Sequence, residues 1–373
     1  MVDRRRLLAG IGAAAVVGPR VGRAGSQPLA RLPLPDWPGQ VVEPLAVFRC
    51  GPQPKGIAVS PDGTEVWVTF LDGPPSVGVY ALPYGEELAT ISLGDHGAVE
   101  AAFRCDGRTV WVSQMETHSV HEIDAATFVV RRWFDTESNW SKVIEPSPDG
   151  SRLYVSNWNF HDVSEIDLGL GETIRRLPTT NTPRGLHASA DGRSLYVAGF
   201  GDGTFERVSL DDGSRTALFV GDALRHVVAA PGERHLYVTD MGGRCVWRYT
   251  PATGAVTKLA TTDANPNTAA LTPDGRVLCV SNRGPNGGEG YLADGPAYGS
   301  VLVIDAADGT VLDSIVGGDQ CTALALTPDG QTLVFSDFRD DTIRVYRVPP
   351  YDVLKAAGWP RRDLHARDLR KRH

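Results

Sequence analysis

The chain repeats one short phrase seven times: an apolar run, a tight turn, and a second apolar run that ends in a small, usually hydroxyl-bearing residue. The turn residues that mark the copies are Asp62, Asp106, Asp149, Asp191, Gly232, Asp274 and Asp329. Successive markers lie 41 to 44 residues apart, except for a last interval of 55 residues. A period near forty residues is typical of four-stranded blades. The sequence therefore predicts an all-β fold, a seven-bladed β-propeller.

The composition supports this fold, and the net charge argues against one class of partner. The 373 residues include 41 glycines and 26 prolines, which suits a protein built from many turns. The formal net charge is −8. A nucleic-acid-binding protein needs a basic face to displace counterions from phosphates, so we expect no nucleic-acid partner.

The last copy lacks a fourth strand, and the missing strand is expected at the other end of the chain. Residues 44–50 resemble the fourth strands of the other copies. We predict that they pair with the third strand of the last blade, Thr342 to Val348, and close the ring, because an unpaired edge is usually covered. The propeller then spans residues 44–348. A basic tail follows at 349–373, with a short helix around residues 352–357.

The first residues carry features of an export signal. Arg4, Arg5 and Arg6 precede two leucines and an apolar stretch that ends near Gly18, which is too short to cross a bilayer. The pattern is similar to a twin-arginine signal, which exports folded proteins. We predict a signal at residues 1–25, a linker at 26–43, and a periplasmic or extracellular monomer without a membrane span. The alternative is a disordered basic leader.

The repeats also carry a family resemblance. Tyr154-Val-Ser-Asn157 and Tyr237-Val-Thr-Asp240 follow turns such as Ser-Pro-Asp-Gly, and Val-Ser-Glu-Ile-Asp follows the first of them. These segments resemble the YVTN-repeat propellers, whose superfamily includes lactonase propellers and the cytochrome d1 haem propeller. The resemblance implies the propeller fold. It is weak evidence for an activity, because the shared residues form strands and turns.

Cationic residues recur at one position, seven residues before each turn marker. The residues in this column are Lys55, Val99, Lys142, Arg184, Arg225, Asn267 and Thr322. The first strand of each blade lines the central channel, so we expect these side chains to surround the channel mouth. A concave cationic site in an acidic protein attracts an anion. Local ion pairs or contacts with backbone carbonyls are the structural alternative.

Polar residues interrupt two deeper columns that are otherwise mostly small or apolar. Glu145 and His187 lie four residues before their markers, in adjacent blades, and Glu100 and His226 lie six before theirs. Burial of such groups is costly unless they are paired. We predict catalytic acid/base roles for Glu145, His187 and His226, and a ligand contact for Glu100. A purely structural hydrogen bond between Glu145 and His187 is the alternative.

Loops on the same face complete the predicted site. The expected ligand contacts in these loops are Trp158, His161, Asp240, Asn282 and Arg283. An insertion from Arg283 to Gly299, with two tyrosines, is predicted to form a flexible flap over the cationic ring, or else a surface loop without function. The five cysteines are interpreted as buried small residues, with a Cys50–Cys321 bridge left open.

The predicted function is binding of a small organic anion at the channel mouth. Acid/base catalysis, as in lactone hydrolysis, elimination or isomerisation, is compatible with these residues. We identify no metal-binding motif, and the sequence does not identify a cofactor. The rival hypothesis is a non-catalytic scaffold that binds a protein or a cell-envelope component on one face.

Overall fold

The structure, a computed structural model, describes residues 31–371 and the backbone of strand β1, Val21–Gly22. β1 pairs antiparallel with the fourth strand of blade 1. Apart from β1, the predicted export signal lies outside the described residues. No helix within the described residues is long and apolar enough to span a membrane.

The described strands form seven sheets, and each sheet contains a four-stranded antiparallel blade. The first strands are β3 (Pro54–Val59), β7 (Glu100–Phe103), β11 (Ser141–Pro146), β15 (Pro183–Ala188), β19 (Leu224–Ala229), β23 (Pro266–Leu271) and β27 (Cys321–Leu326). The second strands are β4 (Glu65–Phe70), β8 (Thr109–Gln114), β12 (Arg152–Asn157), β16 (Ser194–Gly199), β20 (Leu236–Asp240), β24 (Val277–Asn282) and β28 (Thr332–Asp337).

The third and fourth strands complete each blade on its outer side. The third strands are β5 (Val77–Ala81), β9 (Ser119–Asp124), β13 (Asp162–Asp167), β17 (Thr204–Ser209), β21 (Cys245–Thr250), β25 (Ser300–Asp305) and β29 (Thr342–Arg347). The fourth strands are β6 (Glu86–Ile91), β10 (Val130–Asp135), β14 (Glu172–Pro178), β18 (Arg215–Val220), β22 (Ala255–Thr261), β26 (Val311–Val316) and, for blade 7, β2 (Glu43–Arg49).

The ring closes as the sequence predicts. β2 pairs antiparallel with β29, with Phe48 opposite Ile343 and Arg49 opposite Thr342. Each first strand contacts the first strands of both neighbouring blades, so the seven first strands surround one axis. The predicted seven-bladed β-propeller is therefore confirmed.

Apolar side chains between neighbouring blades hold the ring together. Seven hydrophobic clusters occupy the seven blade interfaces. Second strands contribute to both of their interfaces: Trp67 packs towards blade 2 and Val68 towards blade 7, and both are fully buried. Each such side chain contributes about 1.5–3 kcal/mol on burial. Removing a whole blade would expose two of these interfaces.

The turns between first and second strands lie at one end of the channel. In blade 1, the carboxylate of Asp62 accepts hydrogen bonds from Ser60 Oγ and from the backbone N–H of Thr64, and Gly63 takes a φ of 74°. Blade 5 departs from this pattern. Its turn is a 3₁₀ helix, Pro231–Glu233, in which Gly232 occupies the marker position.

The tail after the propeller contains two helices. α1 (Tyr351–Ala357) confirms the predicted short helix, whereas α2 (Arg362–Asp368) was not predicted. Both helices contact β26. Beyond α2, Lys371 Nζ lies 2.7 Å from Asp319 Oδ2. The tail thus runs along blade 6 from the turn end, where Lys355 in α1 pairs with Asp305 at the end of β25, to the end of the propeller at which the first strands begin.

The cysteines are free thiols, so the Cys50–Cys321 bridge considered above is not formed. Cys245, Cys279 and Cys321 are buried, as expected, while Cys50 is half-buried and Cys105 is exposed. Cys321 Sγ lies 3.3 Å from Asp337 Oδ1, and burial raises the pKa of this thiol well above its ordinary value.

Candidate functional site

A β-bulge places the cationic column at the channel mouth. In six of the seven blades the pairing between first and second strands shifts register at the column position or beside it. A bulge bends the strand and redirects a side chain, so the residues at these positions do not follow the regular alternation of side chains along the strand. Blade 2 has no such shift, and its column residue is the apolar Val99. We call the seven column positions the bulge ring.

The hydroxyl groups at the ends of the repeats hold this ring in place. In blades 1, 3, 5, 6 and 7, a Ser or Thr on the second strand accepts the N–H that the bulge leaves free, at 2.8–3.1 Å. In blades 2, 3, 5, 6 and 7, the equivalent hydroxyl donates to a backbone carbonyl at or beside the ring position of the next blade. We call these residues the hydroxyl column. At five of the seven blade interfaces it couples the ring to the neighbouring blade.

Five cations gather at the mouth with few acidic partners. Lys142, Arg184, Arg225 and Arg283 are each less than 9% exposed, and Lys55 is half-buried. Of these five cations, Arg184 alone has a carboxylate of the described residues within 4.0 Å, that of Glu100. Glu100 lies in blade 2 and Arg184 in blade 4, so the two side chains approach each other across the channel rim.

The guanidinium groups keep unused hydrogen-bond donors. Arg283 Nη2 donates to Gln320 Oε1 at 2.7 Å and to Asn286 Oδ1 at 3.3 Å, and both acceptors are neutral amides. Arg283 Nε and Arg184 Nη1 are buried and have no hydrogen-bond partner in the described part of the chain. Buried donors normally have acceptors, so these atoms are suited to an anionic oxygen.

The electrostatic environment reflects this concentration of positive charge. Burial and the neighbouring cations hold the pKa of Lys55 and that of Arg225 well below their ordinary values. Burial also raises the pKa of Glu100, although four nearby cations oppose the rise. An anion bound here would be attracted by the cations and would relieve their mutual repulsion.

His226 lies next to this cluster in a neutral state. Burial, Arg184 and Arg225 lower its pKa to about 4. The backbone N–H of Ala269 points to its Nδ1 at 3.4 Å, which assigns the ring proton to Nε2. His226 is therefore arranged as a hydrogen-bond donor through Nε2.

Aromatic rings surround the two lysines of the mouth. Lys142 Nζ lies 4.1 Å from the ring centroid of Trp158 and 5.3 Å from that of Trp140. Trp158 packs in turn against Phe200. Lys55 Nζ lies 4.9 Å from the centroid of Phe338 and 5.2 Å from that of Tyr291.

The insertion between blades 6 and 7 lies over the cationic ring, as its contact between Tyr291 and Lys55 shows. It is tied to the propeller and to the tail. Gln320 Nε2 donates to the carbonyls of Tyr291 and Ala293 at 2.7 and 3.0 Å. The backbone N–H of Tyr298 donates to Leu369 O. These bonds anchor the segment that was predicted to be a flexible flap.

Glu145 and His187 do contact each other, but in a different region. His187 Nδ1 lies 3.4 Å from Glu145 Oε1, and His187 Nε2 lies 2.8 Å from Oε1 of Glu233. His187 is three residues beyond Arg184 on β15, which places it about 10 Å further along the strand. Its second partner, Glu233, belongs to the turn at the opposite end of the channel. The three side chains, which we call the histidine cluster, link blades 3, 4 and 5.

Three other residues that were predicted to contact a ligand form hydrogen bonds within the protein. Asp240 accepts four hydrogen bonds, from the N–H groups of Asp222, Ala223 and Gly243 and from Trp247 Nε1. Asn282, which is fully buried, donates to Val280 O and to Ser300 Oγ. His161 is exposed, and its Nδ1 accepts from the N–H of Thr182 at 3.0 Å.

Several residues around the site were not identified from the sequence: Trp140, Phe200, Glu233, Gln320 and Phe338. One of them had a visible signal, since blade 5 has Pro-Gly-Glu where most copies have Pro-Asp-Gly. The described residues contain no group of three or more His, Cys, Asp or Glu side chains that could hold a metal ion. The acidic and imidazole side chains at the two ends of the first strands therefore do not form one ligand set.

The closed ring of seven four-stranded blades defines a seven-bladed β-propeller. Residues 205–352 match the family described as "Lactonase, 7-bladed beta-propeller". Antigen Lp49 of Leptospira interrogans serogroup Icterohaemorrhagiae serovar copenhageni (strain Fiocruz L1-130) is 37% identical over 320 residues, which cover 81% of this chain and 69% of that protein. The chain belongs to this family of seven-bladed propellers.

A solved structure extends the comparison of folds. Hydrazine synthase of Kuenenia stuttgartiensis superposes with a TM-score of 0.67 at 20% sequence identity, covering 80% of this chain and 96% of that chain. At this level of identity the likeness concerns the fold alone.

Proposed function

We propose that the chain binds a small organic anion at the channel mouth, between the bulge ring and the insertion. The observation that supports this proposal is that no carboxylate in the described part of the chain lies within 4.0 Å of Lys55, Lys142, Arg225 or Arg283. Buried like charges are unfavourable without a partner. A bound anion supplies that partner.

The same geometry supports acid/base chemistry on the bound anion. Glu100 lies against Arg184 with a raised pKa, so it is suited to give or take a proton. His226 would donate a hydrogen bond through Nε2, and the guanidinium groups would stabilise negative charge that develops during a reaction. Lactone hydrolysis, elimination and isomerisation all use this combination. Glu145 and His187 lie further along the channel and keep their predicted catalytic role only if the substrate extends to them.

The experiment is thermal unfolding with panels of lactones, carboxylates and phosphates. A ligand that binds only the folded form stabilises it by about 2.7 kcal/mol at a hundred times its Kd. We expect one class of anion to raise the melting temperature, and Arg225→Gln to abolish the rise. Arg248→Gln is the matched control, because Arg248 is on β21 of the same blade and bonds the carbonyl of Ala307 near the surface.

A different result would favour the second candidate function. If no anion raises the melting temperature, or if Arg248→Gln removes the effect as fully as Arg225→Gln, the mouth is not an anion site. The similarity to a protein named as an antigen then supports a non-catalytic scaffold with a binding face. Export by the twin-arginine-like signal and a monomeric state remain predictions in both cases.

A further inference from the structure

The chain has only five lysines, and their partners fall into two groups. In the tail, Lys355 and Lys371 pair with the carboxylates of Asp305 and Asp319. At the channel mouth, Lys55 and Lys142 have no carboxylate within 4.0 Å among the described residues, and aromatic rings surround them instead. Lys258 is exposed on β22.

The rings reach the lysines from separate elements. For Lys142, Trp140 precedes β11 and Trp158 follows β12, so the bulge on β11 brings the ammonium between them. For Lys55, Phe338 follows β28 and Tyr291 comes from the insertion. Phe338 is 1% exposed, and its position is therefore fixed by packing. Two unrelated pairs of aromatic residues thus make the same kind of contact.

Burial and the neighbouring guanidinium groups favour loss of the proton from both ammonium groups, and at Lys142 this outweighs the opposing carboxylates. Burial is the largest influence on each, followed by nearby guanidinium groups. The charged groups that face Lys142 are Arg184, Arg225, Glu116 and Glu100. Those that face Lys55 are Arg225, Arg283, Lys142, Arg184 and the acidic Glu100. An aromatic ring attracts a cation through its negative face without adding a negative charge.

We propose that Trp140 and Trp158, and likewise Tyr291 and Phe338, are positioning residues that keep Lys142 and Lys55 charged and directed at the mouth in place of carboxylates. A carboxylate in the same position would hold the ammonium but would also repel the anion. The rings stabilise the cation and leave its charge available to a ligand. This role in ligand binding rests on the proposed function, whereas the effect on the charge of the lysines does not.

The titration of Lys142 tests the inference without any ligand. Trace acetylation of the full chain over a range of pH, followed by peptide mass spectrometry, gives the reactivity of Lys142 relative to Lys258. We expect Trp158→Leu to move the Lys142 profile to lower pH by about 0.5–1 pH unit, because the ammonium loses its cation–π contact. Trp158→Phe keeps an aromatic face and should restore most of the profile.

The opposite sign would overturn the inference. If Trp158 only shields Lys142 from water, the smaller leucine admits water and the profile moves to higher pH. An unchanged profile would equally show that the ring does not stabilise the ammonium. Trp133→Leu is the control, since Trp133 is 61% exposed on the outer strand β10 and should leave the profile unchanged. Circular dichroism melts verify that each variant is folded.

Sulfate binding separates this inference from the proposed function. Sulfate keeps a constant charge near neutral pH, so calorimetric titration at several pH values reports the charge of the protein. If wild-type protein binds sulfate and Trp158→Leu loses affinity increasingly as pH rises, both proposals are supported. Binding with a loss that is independent of pH overturns the inference alone. A wild-type protein that binds no sulfate contradicts the proposed site, while the acetylation profile still decides the charge effect.

Discussion

The bulge ring and the histidine cluster lie near opposite ends of the first strands, and they differ in how their buried charges are paired. In the histidine cluster, one imidazole contacts two carboxylates, and each carboxylate also accepts a backbone N–H, from Ala188 or Ala190. In the bulge ring, only one of the four cations, Arg184, has a carboxylate within 4.0 Å among the described residues. The first region satisfies its charges internally and joins three blades. The second leaves most of its charges without an acidic partner in the described part of the chain, which costs stability, and this is where we propose that an anion binds.

The largest expected effect is the difference in stability between one substitution in the histidine cluster and one in the bulge ring. His187→Asn should lower the free energy of unfolding by about 1–3 kcal/mol, because Glu145 and Glu233 lose their shared donor. Arg225→Gln should leave the free energy of unfolding unchanged or raise it by about 1 kcal/mol, because it removes a buried like charge. Urea denaturation measures both. A loss of stability in Arg225→Gln equal to that in His187→Asn would remove the distinction.

The pH dependence of the free energy of unfolding tests whether His187 has a raised pKa in the folded protein. Burial lowers the pKa of His187, but its contacts with Glu145 and Glu233 outweigh burial and raise the pKa overall. A raised pKa in the folded state stabilises the fold fully below the unfolded pKa of about 6.5 and loses this contribution as pH rises through the folded pKa. Urea midpoints measured upward from about pH 6 should therefore fall in wild type more than in Glu233→Gln. Equal slopes would contradict the prediction.

The smallest expected effect concerns the attachment of the insertion to the tail. Asp319 accepts from the N–H of Gly295 in the insertion and pairs with Lys371 in the tail. Lys371→Met should weaken anion binding by less than about threefold, since a single ion pair contributes little. It should leave the histidine cluster and its pH dependence unchanged. Calorimetric titration with the anion identified by thermal unfolding measures the change, and a tenfold loss would mean that the tail forms part of the site.

Much of the fold follows from the repeat, because turn chemistry and strand period are local properties. The spacing of the markers predicts seven blades, and the unpaired last copy predicts closure by residues 44–50. The cation column was also visible, since it lies at a constant distance from each turn. The β-bulge that directs it was not visible, because a bulge depends on pairing with the second strand rather than on one residue type.

The histidine cluster could be predicted only in part from the sequence. Glu145 and His187 stood out as polar residues in an apolar column, and they do meet. Their separation from the cations was hidden because three residues along a strand appear close in sequence yet amount to about 10 Å in space. Glu233 was missed because it lies in the turn of the next blade, and such a contact depends on the packing of blades. The same reason hid Phe338, whereas Trp140 lies only two residues before Lys142 and its contact depends on the bulge in β11.

The hydroxyl column determines how the ring can vary. Outside blade 4, where Ala198 occupies the position, its Ser and Thr residues bond the peptide backbone of the ring and leave the ring side chains untouched. Exchange of one of the cationic ring side chains therefore leaves the hydroxyl bonds in place, whereas the ring residue Asn267 itself donates to Thr322 O of the next blade. A library confined to the four cationic positions would therefore vary the ring side chains on a retained backbone frame, which makes the propeller a starting point for engineered recognition.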